Sequence, residues 1–369
     1  MLKQTMYSSH DIKKAAKSFG ADLAGIAPMD RFEGAPKQMD PRYIFPEAKT
    51  MLVLGYRIPR GVFRPIEEGT HFGLYSSMGY AALNQVYGPM VLWKLSRFIE
   101  DCGFVAVPMP NLNGGEAVNP VNGKFRKHWS VPVAEGRPYP DVLVHQRIAA
   151  FCAGLGEIGY SNLFLTPEYG PRQRFNLLLT DMPLEPDPLF EGKICDRCKL
   201  CVARCPGKAL SPTKMVRVKI AGRELEWAEL DPLACERGIQ GGEKNEVNPF
   251  LVDYPRVYGY GRSVEGACGC IRACMAHLDE KGVLTCRFKN RFPKPKPWRV
   301  DQTQAPALTE DVKQNYLAKG KMEEWSEYSQ YNAQENCGQK DRTKKSGQDR
   351  AAITWPSMAQ ENSDSRFVD

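Results

Sequence analysis

Cys195-Asp-Arg-Cys198-Lys-Leu-Cys201-Val-Ala-Arg-Cys205-Pro206 is the stretch around which this chain is organised. Its spacing, C-x2-C-x2-C-x3-C-P, binds iron–sulfur clusters: three close thiolates wrap one corner of a four-iron cube, and the fourth, ahead of the proline, ligates a second cluster. Such a run requires partners elsewhere. Cys235, Cys268, Cys270 and Cys274 supply them and are the only cysteines from 206 to 274. Four plus four cysteines suffice for two [4Fe-4S] clusters. A structural zinc site, the other common use of clustered cysteines, shows paired CxxC motifs without a proline-terminated run.

The rest of the composition fits a reducing compartment. Of twelve cysteines, eight sit at cluster spacings, and Cys102, Cys152, Cys286 and Cys337 are scattered, which reads as plain thiols rather than a disulfide framework. The segment from Met1 to Gly20 has no apolar h-region and no twin-arginine pair, and no window approaches the length of a membrane span. A soluble, cytoplasmic protein is expected. The net charge of +7 is a mild excess; basic runs such as Lys289–Lys296 read as solvated faces, so nucleic acid is not an expected partner.

Outward toward the N-terminus, strand and helix patterns alternate. Ser8-x-x-Asp11 opens an amphipathic helix through Ile12, Ala15, Ala16 and Phe19, ended by Gly20. Ala21–Ile26 and Met51–Tyr56 read as strands, and Pro89 starts a helix with Val91, Leu92, Leu95, Phe98 and Ile99 on one face. Phe104–Val107 reads as a strand broken by Pro108 and Pro110, followed by a long loop or lid over 111–139. Val142–Ala153 reads as helix, and Leu163–Leu165 and Phe175–Thr180 as strands. The pattern predicts an α/β (α+β) layer over residues 1–190, a cluster domain over 191–290 with short cysteine-bearing helices and an insertion at 216–261, and a polar tail over 291–369 that wraps the surface or is disordered in part.

Two adjacent clusters are wiring that must end on a one-electron acceptor: a flavin, a corrinoid or a third metal centre. Gly154-Leu155-Gly156-Glu-Ile-Gly159 matches GxGxxG, but it follows a helix and precedes a strand, the reverse of the dinucleotide-binding order. Its small residues suit close backbone approach to a large flat cofactor. No Asp-x-His-x-x-Gly is present to provide a lower histidine ligand to cobalt.

Gly154–Gly159, Thr166-Pro-Glu-Tyr-Gly-Pro-Arg172 and Leu179-Thr-Asp-Met-Pro-Leu184, followed by the cysteine run, resemble cobalamin-dependent reductive dehalogenases. The related epoxyqueuosine reductases share the frame, including Gly-Ala-Asp-Leu-Ala-Gly-Ile-Ala at 20–27, but typically carry Trp in place of Glu157. The resemblance covers about residues 8–288. It implies a nitroreductase-like core that holds base-off cobalamin, with Gly154, Leu155, Gly156, Gly159 and Thr166 toward the cofactor, beside a ferredoxin-like two-cluster domain.

By family pairing, Cys195, Cys198, Cys201 and Cys274 hold the first cluster and Cys205, Cys235, Cys268 and Cys270 the second. The second group here is C-x-C-x3-C-Met, where the family usually shows C-x2-C-x3-C-P. The implied catalytic residues are a tyrosine proton donor at Tyr87, with Tyr80 the next choice, together with Asn111 and Arg172. His128 and His145 are left as structural. The resemblance implies reduction of an organohalide, fed by a ferredoxin or flavodoxin. Two other function classes stay open: a tRNA-modifying reductase of the epoxyqueuosine type, and a corrinoid or electron-transfer protein.

Overall fold

The structure is a computed structural model that describes residues 7–71, 73–111, 132–140, 142–239 and 269–294. Helix α1 (Ser9–Phe19) starts where the sequence signals it: Asp11 N–H donates to the Ser8 hydroxyl, the Asp11 carboxylate accepts the Ser8 N–H, and Gly20 ends the helix at φ 122°. Strands β1 (Leu23–Pro28) and β2 (Thr50–Arg57) follow. The short helix α2 (Arg64–Glu67) leads to a π-helix over Tyr75–Tyr87, which runs directly into α3 (Gly88–Asp101). Strand β3 (Ala106–Met109) and helix α4 (Gln146–Cys152) come next, then β4 (Glu157–Ile158), β5 (Phe164–Leu165) and β6 (Gln173–Thr180). Beyond these lie α5 (Leu200–Ala203), β7 (Leu210–Ile220), β8 (Arg223–Leu230), α6 (Pro232–Ile239) and α7 (Gly269–Lys281).

The central sheet has the order β1-β2-β6-β3, and every pairing in it is antiparallel, with Thr50 opposite Thr180 and Met109 opposite Leu177. Alternating helices and strands thus produce an α+β layer; the described strands contain no parallel pair. Side chains alternate across the pleat. Leu52, Leu54, Tyr56 and Leu178 pack with α1 and α3, whereas Met51, Val53, Leu177 and Leu179 pack with α4. Both faces are buried, which is why β2 reads as a continuous apolar run.

Three local expectations are corrected. Strand β3 runs through Pro108 rather than stopping before it, because it pairs on one side only, and an edge position tolerates a missing N–H. Helix α4 is shorter than the apolar pattern from 142, since His145 serves as its N-cap, accepting the Ile148 N–H at Nδ1. Part of the 216–261 insertion is the second arm of a β7–β8 hairpin that turns at Ala221-Gly222 and already begins at Leu210. Its tip residues Ile220, Ala221, Leu225 and Trp227 pack on the α4 face of the sheet. Most of the 111–139 loop, Cys268, His128 and the polar tail lie outside the described residues.

Candidate functional site

The cysteine run is held open by glutamate. Glu157 Oε1 accepts the N–H groups of Ile194 (2.6 Å) and Cys195 (2.5 Å), so β4 fixes the start of the loop that carries the first thiol. The loop then visits the left-handed region at Arg197 (φ 58°) and Lys199 (φ 58°), which bends it tightly enough to turn successive thiols inward. Cys195, Cys198, Cys201 and Cys274 line one small cavity together with Gly159, Tyr160 and His277. The Tyr160 N–H donates to Cys195 Sγ at 3.3 Å, and the Ala209 N–H to Cys205 Sγ at 3.3 Å.

These thiols fit a bound metal centre chemically. Burial pushes Cys201 up to about 11 and Cys270 to about 12, and raises Cys274 well above an ordinary thiol. A thiol in that environment stays protonated unless a cation offsets the cost, as cluster iron does. Cys205, Cys201 and Cys235 also lie close enough to Cys270 to raise it further. Asp196, Cys198 and His277 place a ligand atom each within 4.8 Å of one another at the rim; Asp196 accepts from Lys281 and is 2.8 Å from His277 Nε2.

The glycine turn packs closely against the chain's own backbone. A Cβ at Gly154 (φ 71°) would lie 2.0 Å from Pro188 O, and one at Gly156 (φ 155°) 2.0 Å from Leu165 O. Both positions are thus demanded by the chain's own backbone. At Gly159 a Cβ would approach Cys195 Sγ to 3.5 Å. Leu155 packs into the core on the α4 side, and Thr166 is buried within its turn, where its hydroxyl accepts the Tyr169 N–H.

Tyr87, Asn111 and Arg172 do not share a contact among the described residues. The Tyr87 hydroxyl donates to Gly20 O at 2.9 Å, and its ring packs edge-on against Tyr56. Arg172 is 2% exposed and donates to Ile58 O at 2.6 Å, between Tyr169 and Phe288. The backbone of Asn111 donates to Asn176 Oδ1 at 2.9 Å.

Arg174, two residues further along β6, is the arginine that meets tyrosines. Its Nη2 donates to the Tyr75 hydroxyl at 2.5 Å, its Nε to Gly79 O at 3.3 Å, and its guanidinium lies 4.3 Å from the centre of the Tyr80 ring. Asn84 on the same π-helix is 1% exposed, and neither polar atom of its side chain has a hydrogen-bond partner among the described residues; Asn176 Nδ2 is in the same condition. Arg147 on α4 is held below the usual guanidinium range by burial and by Arg174, while Cys270 and Cys235 act in the opposite sense. This constellation was hidden in the sequence. A single signal could have found it: the alternation Arg172, Arg174, Asn176 places a polar group at every second position leading into the apolar run Leu177–Leu179.

A cavity of about 660 Å³ opens beside β3, walled by Ile44, Val107, Met109 and Leu177 with Asn111 and Gln146 among its polar groups. Gln146 Oε1 is buried without a partner among the described residues. A corrin is an apolar ring fringed with amides, and apolar walls with amide groups and an open acceptor match that chemistry.

No family model matches the chain. It is 30% identical over 156 residues to a tetrachloroethene reductive dehalogenase of Sulfurospirillum multivorans, covering 41% of this chain and 26% of that protein. With the tetrachloroethene reductive dehalogenase of Desulfitobacterium hafniense it is 25% identical over 365 residues, covering 87% of this chain and 54% of the relative. An epoxyqueuosine reductase of Listeria monocytogenes shares 38% identity over 76 residues, 20% of this chain and 18% of that protein. Among solved structures, a catabolic reductive dehalogenase aligns over 80% of this chain and 41% of its own, at 16% identity and a TM-score of 0.45. The chain is a homologue of reductases, and its relatives are oxidoreductases. Specifically, it is related to the reductive dehalogenases, with a shorter shared stretch in epoxyqueuosine reductases. It spans about half the length, or less, of these curated relatives. Among the described residues no helix is long and apolar enough to cross a membrane.

Proposed function

We propose that this chain is an iron–sulfur, cobalamin-dependent reductase that removes halide from an organohalide. The observation that carries the reading is the pairing of a four-thiol cavity beside the Gly159-Tyr160 turn with a half-buried tyrosine–arginine pair at the π-helix. In this reading residues 1–190 form a nitroreductase-like core, and 191–290 carry two [4Fe-4S] clusters: one on Cys195, Cys198, Cys201 and Cys274, the other on Cys205, Cys235, Cys268 and Cys270. An external ferredoxin or flavodoxin supplies electrons singly. Asn111 and Gln146, which line the cavity beside β3, would hold base-off cobalamin, which would supply a strongly reducing, nucleophilic metal centre.

The chain's own residues manage the proton and the anions. Carbon–halogen cleavage with two electrons leaves a carbanion-like fragment that takes one proton, and a halide. Tyr75 holds a proton at Oη, and the Arg174 guanidinium donating to that oxygen stabilises the charge that develops when the proton leaves. Tyr80, under the same guanidinium, closes the other side of the site. The orphaned amides of Asn84 and Asn176 offer hydrogen bonds to a polar substrate group. Asn111 sits at the edge of this group through Asn176. Arg172 instead ties the start of β6 to the segment around Ile58.

The stretch shared with epoxyqueuosine reductases favours a second reading, a tRNA-modifying reductase. One assay separates the two. Anaerobically reconstituted protein with cobalamin and a strong reductant is offered halogenated phenols, chlorinated alkenes and epoxyqueuosine-containing tRNA. Halide release supports the first reading; turnover of the tRNA without halide release across the panel replaces it with the second.

A further inference from the structure

The loop that joins β4 to β5 carries a hydroxyl that the proposed chemistry does not use. Glu157 pairs with Leu165 and Ile158 with Phe164, so residues 159–163 close a hairpin. Within it the Gly159 N–H donates to Leu163 O at 2.8 Å, the Asn162 N–H donates to Gly159 O at 3.0 Å, and Asn162 takes the left-handed conformation at φ 61°. Tyr160 fixes this loop from the other side. It is 4% exposed, its hydroxyl donates to Ser211 O at 3.1 Å, and its carbonyl accepts the Ala228 N–H at 2.8 Å. Strands β7 and β8 therefore both grip the loop.

Held in this way, the loop offers two successive donors to the first group of cysteines. Ser161 lines the same small cavity as Cys195, Cys198, Cys201 and Cys274. The Tyr160 N–H donates to Cys195 Sγ, and the Ser161 hydroxyl hydrogen-bonds Cys201. Burial raises the Cys201 thiol, and Ser161 acts against that by favouring the thiolate. Cys201 is buried, so a protein donor takes the place of water at its sulfur. Cys198 of the same group is exposed, whereas Cys205, Cys235 and Cys270 of the second group are buried or half-buried. Among the described residues, the first group thus presents the solvent-facing edge of the two.

We infer that Ser161 is a positioning residue for electron transfer: its hydroxyl donates to the Cys201 thiolate and raises the reduction potential of the first cluster, fitting that cluster to take the electron from the external carrier. The inference rests on the two-cluster reading above. Each reduction moves one electron from the carrier to the cluster, which gains one negative charge shared by its sulfurs. A donor bonded to one of those sulfurs binds the more negative form more tightly, and hydrogen bonds to sulfur are among the factors that set cluster potentials. No bond breaks and no proton moves; Ser161 keeps its hydrogen in both redox states. The N–H at position 160 acts likewise on Cys195, but it is backbone and survives any side-chain change except proline. Ser161 is where a side chain decides the effect.

The test is an EPR-monitored potentiometric titration, with titanium(III) citrate, of the anaerobically reconstituted full chain in the absence of cobalamin. Ser161→Ala should move the midpoint of one cluster to a more negative value and leave the other in place, with iron and sulfide content unchanged. Ser161→Thr keeps the hydroxyl and should stay at the wild-type midpoint. Ser161→Val matches threonine in shape without the hydroxyl and should follow Ser161→Ala. A merely structural role for the side chain would make the Thr and Val variants alike. Unchanged midpoints in iron-loaded Ser161→Ala, or Thr and Val variants with coincident midpoints, overturn the inference. Should Ser161→Ala lose iron, the Thr and Val pair decides: a more negative midpoint in Val supports the hydroxyl account. Wild-type protein that binds zinc and no iron defeats the cluster reading itself and the inference with it.

Discussion

Replacing Glu157 tests how the structure prepares its first thiol. One carboxylate oxygen accepts two backbone N–H groups, from Ile194 and Cys195, at 2.6 and 2.5 Å. Hydrogen bonds to a charged group contribute about 1.5–3 kcal/mol each, and neutral ones about 0.5–1.5 kcal/mol. Glu157→Ala removes both and leaves two donors without an acceptor, a loss of roughly 3–6 kcal/mol concentrated on the loop that begins the cysteine run. Glu157→Gln keeps an acceptor oxygen in place, retains about 1–3 kcal/mol from the two bonds and should lose about 2–3 kcal/mol. The assay is the rate at which anaerobically reconstituted protein yields iron to a chelator, read beside total iron and acid-labile sulfide. The expected order of retention is wild type, then Gln, then Ala, with about half the iron lost early in Ala because one cluster is affected first. Equal rates for wild type and Glu157→Ala would refute the reasoning.

Further expectations concern the metal, the proton and pH. Anaerobic reconstitution should load about eight iron and eight sulfide per chain, as two four-iron clusters require, and Cys198→Ala should damage chiefly one cluster; stoichiometric zinc without iron would contradict this. Arg174→Ala should lower dehalogenation by a factor of about a hundred or more while clusters and cobalamin stay bound, as loss of one charge-stabilising donor does elsewhere, whereas Tyr87→Phe, which breaks only the bond to Gly20, should leave turnover within about two-fold; the reverse ranking would move the site. Burial lowers His145 from 6.5 to about 4, so the folded state resists its protonation while the unfolded state does not. Stability from this group is therefore intact above pH 6.5 and lost as pH falls toward 4, by about 3 kcal/mol in all and about 2 kcal/mol by pH 5. Denaturant midpoints at pH 7.5 and 5 should show a smaller fall in His145→Asn, which keeps a capping side chain.

The tyrosines of the π-helix differ in what they meet. On an ordinary helix Tyr87 would share a face with Tyr80, seven residues earlier. The π-helical run from Tyr75 to Tyr87 changes that period. It turns Tyr75 and Tyr80 onto Arg174 and sends Tyr87 toward α1, where its hydroxyl meets Gly20. Arg172 sits at the turn before β6, where its Nη1 donates to Ile58 O, and Arg174 lies two residues further along.

Local chemistry determined the first helix, the buried strands and the cysteine spacing from sequence alone. The capping box at Ser8 and Asp11, the glycine at 20 and the apolar run from Met51 act within a few residues of themselves, so a reader of the chain meets cause and effect together. What only the tertiary structure decided are relations between distant residues. The antiparallel order β1-β2-β6-β3, the carboxylate of Glu157 under Cys195, Arg174 between two tyrosines, and Glu67 against Arg272 each join segments brought together by burial of the sheet faces. Residue type and periodicity specify which groups leave water; which of them then meet is settled by register and packing across the whole core.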